Sequence, residues 1–150
     1  MDRVVRECDR ARHDFASEPV HDLRVALRRC RSIADVFMDF DPHPAWKQMR
    51  IEGKRLFEQI GALRDNQVME EWVQKLAPLQ EETPAILSTY LEDQEAQHRK
   101  AASEALRDFN QKKWASWTRR LSNRARHIPL EGMAFQHLAL ERWSDAYDLH

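Results

Sequence analysis

Glycine and proline are scarce in this sequence, with three glycines and six prolines among 150 residues. Their scarcity excludes a loop-rich β protein and favours helices, whose interiors tolerate both residues poorly. Only two cysteines are present, and they lack the spacing of a metal site or of a disulfide framework. We therefore expect Cys8 and Cys30 to be reduced thiols in a cytoplasmic protein.

The sequence also lacks an excess of one charge and a long apolar run. Its 24 basic and 25 acidic residues leave a net charge of −1, which does not indicate a general nucleic-acid binder. No stretch is apolar over the roughly 20 residues that a membrane-spanning helix needs, so we expect no membrane association. The N-terminal segment MDRVVRECDR lacks the apolar centre of an export signal. Any anion site must therefore arise from uneven placement of the basic residues.

Apolar residues recur at steps of three and four along most of the chain, which predicts amphipathic helices. The expected helices cover residues 1–15, 19–40, 45–60, 84–110, 113–126 and 134–149, and helical character resumes through residues 68–76 after a bend at Gly61. Short connections favour antiparallel neighbours, so the predicted fold class is an all-α antiparallel helical bundle. The five tryptophans are expected in the core or at an interface: Trp46, Trp72, Trp114, Trp117 and Trp143.

The helix predicted over residues 19–40 carries a stripe of basic residues beside its apolar face. At about 100° per residue, four of them fall within an arc of roughly 80°: His21, Arg24, Arg28 and Arg31. Arg29 points elsewhere and would widen the site. Neighbouring cations repel each other unless acids or a bound anion compensate, and only Asp22 and Asp35 lie near in sequence.

Two interpretations of this basic stripe follow. Guanidinium groups can pair two phosphate oxygens at once, and a row spaced by about 5–6 Å could engage successive phosphates of a chain. The alternative is a solvated or salt-bridged helix face, which calls for more interleaved acids than this helix has.

The next predicted helix and the bend after it add further candidates. Lys47, Arg50 and Lys54 are spaced by three and four residues and so share one face. Arg64 and Asp65 follow at the bend. One interpretation is a local ion pair that fixes the turn; in the other, Asp65 orients Arg64 or a neighbouring arginine toward a bound anion.

Two segments resemble the signatures of the CHAD family, the conserved histidine α-helical domains. VHDLRVALRRCRS, residues 20–32, matches the pattern H-x-x-R-V-x-x-R-R-x-R from His21 to Arg31. EGKRLFEQIGALRDNQV, residues 52–68, resembles the second signature, a helical lysine followed by L-G-x-x-R-D-x-x-V. Lys54, Gly61 and the Arg64-Asp65 pair match, and Ile60 replaces the usual leucine.

The resemblance implies a bundle of two similar halves related by a pseudo-twofold axis, and binding of inorganic polyphosphate. It also implies a cytoplasmic protein that associates with polyphosphate granules. A second H-x-x-R segment with a basic run is not found, because His137 and His150 lack the following arginines. Residues 1–150 are therefore expected to form a partial domain, the N-terminal half plus the lead-in to a second half. Such a half would act as a homodimer or pair with a second half.

From these residues we expect a non-catalytic module without cofactor or metal that binds polyphosphate. The expected ligands are His21, Arg24, Arg28, Arg29, Arg31, Lys54 and Arg64, supported by Asp65, Lys47 and Arg50. The main alternative is a structural or interaction module whose basic face pairs with an acidic partner or RNA, although no RNA-reading module is recognisable. The pairs His13-Asp14 and His21-Asp22 raise a third alternative, a metal-dependent phosphohydrolase. That chemistry needs more ligands converging on one centre.

Overall fold

The computed structural model describes residues 1–76 and 82–128, and within them it contains six α-helices and no strand. The helices are α1 (Arg3–His13), α2 (Ser17–Phe40), α3 (Pro44–Gln59), α4 (Gly61–Leu76), α5 (Glu82–Asp108) and α6 (Gln111–Ala125). The all-α prediction is confirmed, and the predicted ends of five of these helices lie within two residues of the observed ones. The helical stretch predicted over residues 68–76 begins earlier, at Gly61. The helix expected over residues 134–149 lies outside the described residues.

Prolines and polar caps set several of these helix ends. Asp41 has an extended backbone, as expected for a residue before proline, and Pro42 thereby ends α2. A proline at the first position starts α3, and the side chain of His43 accepts a hydrogen bond from the Ala45 amide. Asn110 caps α6 through its side chain in the same way. The boundaries thus follow from local sequence chemistry.

The core lies between the inner faces of α1, α2, α3, α5 and α6. Helix α2 packs on α1, α3 and α4, and α6 packs on α1 and α3. A close approach between α3 and α6 depends on Gly53, where an added Cβ would lie 3.2 Å from Trp114. Cys8 and Cys30 are free and buried in this core, as expected, and burial raises the pKa of Cys8 to about 12.

A buried carboxylate pairs with three arginines of α1 and offsets part of their charge. Glu7 is 1% exposed and accepts hydrogen bonds from Arg3, Arg6 and Arg10. Burial raises the pKa of Glu7, but the hydrogen bonds from Arg10 and Arg3 outweigh it and lower the pKa overall. Because their charge is compensated locally, these cations of α1 are tied to the fold.

Three of the four described tryptophans lie in the core, as one part of the prediction expected, and for Trp72 the interface alternative stays a prediction. Trp46, Trp114 and Trp117 are buried, whereas Trp72 is 57% exposed and does not belong to the core. Trp72 lies near the end of α4, and its side chain is turned away from the helices on which α4 packs. Trp143 lies outside the described residues. Within the described residues, no helix is long and apolar enough to cross a membrane.

Candidate anion-binding site

Basic residues of α2 and α3 lie side by side where the two helices meet, on a surface that we call the groove. The crevice between them has a volume of only about 10 Å³, so a phosphate would lie over it and not inside it. Arg28 and Arg31 of α2 line it with Lys54 of α3, over a floor that includes Leu27 and Phe57. The two helices meet at apolar residues, so the longer basic side chains beside this contact extend along the groove. The structure thus joins three residues that the sequence placed on two separate predicted helices.

Arg24 is held at the end of this groove where α3 meets α4. Its guanidinium carbon lies 4.0 Å from the centre of the Phe57 ring, and Nη1 donates a hydrogen bond to the Phe57 carbonyl at 3.2 Å. Burial lowers the pKa of Arg24, the nearby charge of Asp65 raises it, and the charges of Arg64 and Arg28 lower it. The guanidinium therefore has a fixed orientation and lies within electrostatic reach of the neighbouring cations.

Gly61 has a specific reason for lacking a side chain. A Cβ at this position would lie 2.9 Å from Arg24 Nη1, which is closer than a normal contact. The glycine therefore leaves room for the Arg24 guanidinium at the start of α4. The sequence indicated Gly61 as a bend and as a match to the CHAD signature, without a reason for the glycine. The roles of Phe57 and Gly61 depend on a contact between helices, which spacing along one helix does not show.

The two acids expected to offset the α2 arginines are engaged elsewhere. Asp22 pairs with Arg3 and Arg10 of α1, at 3.3 Å and 3.0 Å. Asp35 pairs with Arg50 of α3 at 2.6 Å. These contacts fasten α2 to both neighbours, and they remove the acids from the basic stripe.

The arginines of the stripe remain without a carboxylate as a result. Among the described residues, Arg24, Arg28, Arg29 and Arg31 make no ion pair. Arg29 is exposed on a different side of α2, as expected from its position in the sequence. A salt-bridged helix face therefore does not describe the stripe in the part of the chain that the structure covers.

His21 continues the line of Arg24, Arg28 and Arg31 toward the start of α2. It is exposed, and it makes no hydrogen bond or ion pair within the described residues. The structure thus leaves both ring nitrogens of His21 free to contact a ligand.

Arg64 and Asp65 do not pair with each other as one interpretation expected. Arg64 is 16% exposed and donates hydrogen bonds to Ser17 and, at 3.1 Å, to Glu71. The Ser17 hydroxyl in turn donates to Glu71. The hydrogen bonds from Ser17 and Arg64 lower the pKa of Glu71, and the three side chains fix α4 against the start of α2. Asp65 is exposed and acts on Arg24 through its charge. A ligand role for Arg64 stays a prediction, because its guanidinium already pairs with Glu71.

The supporting residues of α3 separate in the structure. Arg50 points at α2, where it is paired with Asp35, whereas Lys47 is exposed and makes no ion pair within the described residues. Lys54 has a long contact to Glu58, 3.6 Å between exposed groups, which is a weak interaction. Lys54 is therefore the α3 cation best placed for a ligand of the groove.

Groups that could hold a metal are not found in residues 1–76 and 82–128. No three histidine, cysteine, aspartate or glutamate side chains come together there in a suitable cluster. Asp22, which the phosphohydrolase interpretation would need, is bound to arginines.

An all-α bundle in which Arg28 and Arg31 of one helix lie beside Lys54 of the next thus defines the class of this protein. The chain belongs to the CHAD family, because the family model for the CHAD domain matches residues 1–148. No curated protein and no solved structure matches the chain. The resemblance carried by residues 20–32 and 52–68 is confirmed, and the assignment to an N-terminal half stays a prediction.

Proposed function

We propose that this protein binds inorganic polyphosphate without catalysis, in the groove between α2 and α3. The observation that carries the proposal is that Arg28 and Arg31 lie beside Lys54 while both nearby acids of α2 are paired with other helices. Exposed cations at three- and four-residue spacing destabilise a helix, and a bound polyanion would relieve that repulsion. Membership of the CHAD family supports the same ligand.

The binding mechanism is electrostatic. The line from His21 to Arg31 covers about 15 Å of helix, at 1.5 Å per residue, enough to contact several consecutive phosphates. Each basic side chain that contacts a phosphate displaces a counterion from the chain, so affinity falls as salt rises. Arg24 is already oriented by Phe57, so less conformational entropy is lost when it meets a phosphate.

A non-catalytic role fits the chemistry of the groove. Its described lining consists of cations and apolar groups, and it includes no carboxylate that could hold a metal or accept a proton. The proposal extends to a cytoplasmic location with association to polyphosphate granules. It also extends to pairing of this chain with a second copy or a second half of the domain.

Titration with long-chain polyphosphate, orthophosphate and single-stranded RNA at several salt concentrations tests the proposal. In Arg28→Gln/Arg31→Gln we expect weaker polyphosphate binding and a salt slope reduced by about 1.4, or about 0.7 for each lost contact. Arg99→Gln/Arg107→Gln is the matched control, because it removes two arginines that pair with Glu95 and Asp108.

Several outcomes would contradict the proposal. A folded sample, including its dimer, that binds no polyphosphate would refute it, and so would equal losses in the control. Stronger binding to RNA than to polyphosphate would favour the interaction module. Shortening of the phosphate chain in the presence of a divalent metal would show that the protein is an enzyme.

A further inference from the structure

Helix α6 carries a second set of cations that the groove does not use. Residues 109–130 contain no aspartate or glutamate. Five basic residues of this segment are exposed and make no ion pair within the described residues: Lys112, Lys113, Arg119, Arg120 and Arg126. By contrast, Arg99 and Arg107 of the neighbouring α5 both pair with acids. The absence of acids is therefore a property of α6 and not of the whole surface.

The cations of α6 form two rows on its outer face. Lys112, Arg119 and Arg126 are seven residues apart, as are Lys113 and Arg120, so each row repeats after about 10.5 Å along the helix. The rows are about 100° apart around the axis. We call these five residues the α6 basic face.

The positions of these cations destabilise α6 when no ligand is bound. Lys112 and Lys113 lie in the first turn of α6, which contains no acid, and the positive end of the helix dipole disfavours cations there. Lys113 lies 4.8 Å from the centre of the Trp117 ring, which offsets part of this cost for one residue. The other four have no such compensation within the described residues, and a bound polyanion would supply it.

The chemistry of the face favours a phosphate chain over a lipid surface or stacked bases. The exposed large apolar residues in the described part lie on α3, α4 and α5 and none lies on α6. A helix that inserts into a bilayer surface presents apolar residues, and a groove for single-stranded nucleic acid presents aromatic rings. The α6 basic face offers only charge and hydrogen-bond donors.

The face is separate from the groove between α2 and α3. The buried side of α6 consists of Trp114, Trp117, Thr118 and Leu121, and Trp114 contacts Gly53 of α3. Lys112, Arg119 and Arg126 lie on the side of α6 opposite this contact, whereas Lys113 and Arg120 lie on its flank, where Lys113 contacts Trp117. None of the five residues lines the crevice between α2 and α3. They therefore form a second surface.

We propose that the α6 basic face is a second binding surface for polyphosphate, used by chains long enough to extend beyond the groove. This inference rests on the proposed function and adds a dependence on chain length to it. A long chain that engages both surfaces, on one molecule or on two, gains affinity because the second contact forms at high effective concentration. A short chain fills only one surface at a time.

The test compares chains of about 10 and about 100 phosphates, with affinities expressed per phosphate, since only the longer one is expected to gain from linked contacts. The variant is Arg119→Gln/Arg120→Gln, and Arg99→Gln/Arg107→Gln is its matched control. We expect the wild type and the control to bind the long chain at least about 10-fold more tightly than the short one. In the α6 variant most of this advantage should be lost, while short-chain binding changes little. Thermal unfolding followed by circular dichroism checks that each variant is folded.

The outcomes separate this inference from the proposed function. If the α6 variant binds the long chain as the wild type does, the inference is wrong. Binding at the groove is still supported in that case if Arg28→Gln/Arg31→Gln loses short-chain binding. If the wild type binds neither chain, both proposals fail. If the α6 variant still binds polyphosphate but no longer binds single-stranded RNA or vesicles containing phosphatidylserine, the face binds that other partner and the inference is overturned.

Discussion

Arg24 illustrates how single residues prepare the groove. Its guanidinium rests on the Phe57 ring and bonds to the Phe57 carbonyl, in space that Gly61 leaves open. Packing of this kind orients the donors before a ligand arrives. The remaining arginines of the stripe are exposed and have no comparable support.

Gly61→Ala is expected to separate the orientation of Arg24 from the stability of the fold. The new Cβ would displace the Arg24 guanidinium, which is the end of a flexible side chain, so the helices need not move. We expect a melting temperature equal to or above that of the wild type, since alanine favours the helix. Polyphosphate binding should weaken by about 0.5–1.5 kcal/mol, the usual contribution of one such contact. Unchanged affinity, compared with the exposed control Gln59→Ala, would contradict the role of Arg24.

His21 is expected to contribute a hydrogen bond to polyphosphate binding. Its ring is exposed at the end of the basic line, and an imidazole N–H can donate to a phosphate oxygen. His21→Ala should therefore weaken binding by about 0.5–1.5 kcal/mol, the usual contribution of one hydrogen bond, in the same polyphosphate titration. Equal affinities of the two proteins would remove this role.

At the level of helices, one ion pair joins the end of α2 to the end of α6. Asp41 is 5% exposed and accepts hydrogen bonds from Trp46 at 2.9 Å and from two guanidinium nitrogens of Arg124, each at 2.7 Å. The hydrogen bond from Arg124 lowers the pKa of Asp41 far below its ordinary value, although burial opposes the shift. Asp41 thus links two helices that bear the two basic surfaces.

Asp41→Asn is expected to reduce stability by about 1–3 kcal/mol at neutral pH, because the buried Trp46 and the partly exposed Arg124 lose a charged acceptor. The pKa is lowered in the folded state, so the contribution is present above the ordinary value of 3.8 and is lost as the pH falls below it. The difference between wild type and variant, measured by urea unfolding, should therefore shrink as the pH drops below 3.8. The control is Asp93→Asn, an exposed carboxylate on α5. A difference that stays constant across this range would refute the linkage.

For the whole molecule, charge is distributed unevenly although the total is close to zero. Acids neutralise α1 and much of α5, while the α2–α3 groove and the α6 basic face keep unpaired cations within the described residues. A net charge of −1 therefore conceals two local surfaces that suit polyanions. Screening at high salt should weaken binding at both.

The tryptophans distinguish the core of the molecule from its surface. Trp46→Ala should cost about 3–5 kcal/mol, because Trp46 is fully buried, stacks on Phe37 at 4.9 Å and donates to Asp41. Trp72→Ala should cost less than about 1 kcal/mol, since its side chain is 57% exposed. Unfolding in urea measures both values. Equal losses would show that Trp72 is covered in solution.

The sequence by itself determined the helices and the basic line of α2. Both depend on local periodicity, which a single helix expresses without its neighbours. The match from His21 to Arg31 and around Gly61 also identified the family correctly.

Only the tertiary structure decided which cations remain free. Asp22 and Asp35 are closer in sequence to the arginines of α2 than to their partners, yet they pair with Arg3, Arg10 and Arg50. The partner of each acid depends on which helices pack against α2 and on their orientation. Spacing along one chain segment does not contain that information, because an ion pair forms between charges that are close in space.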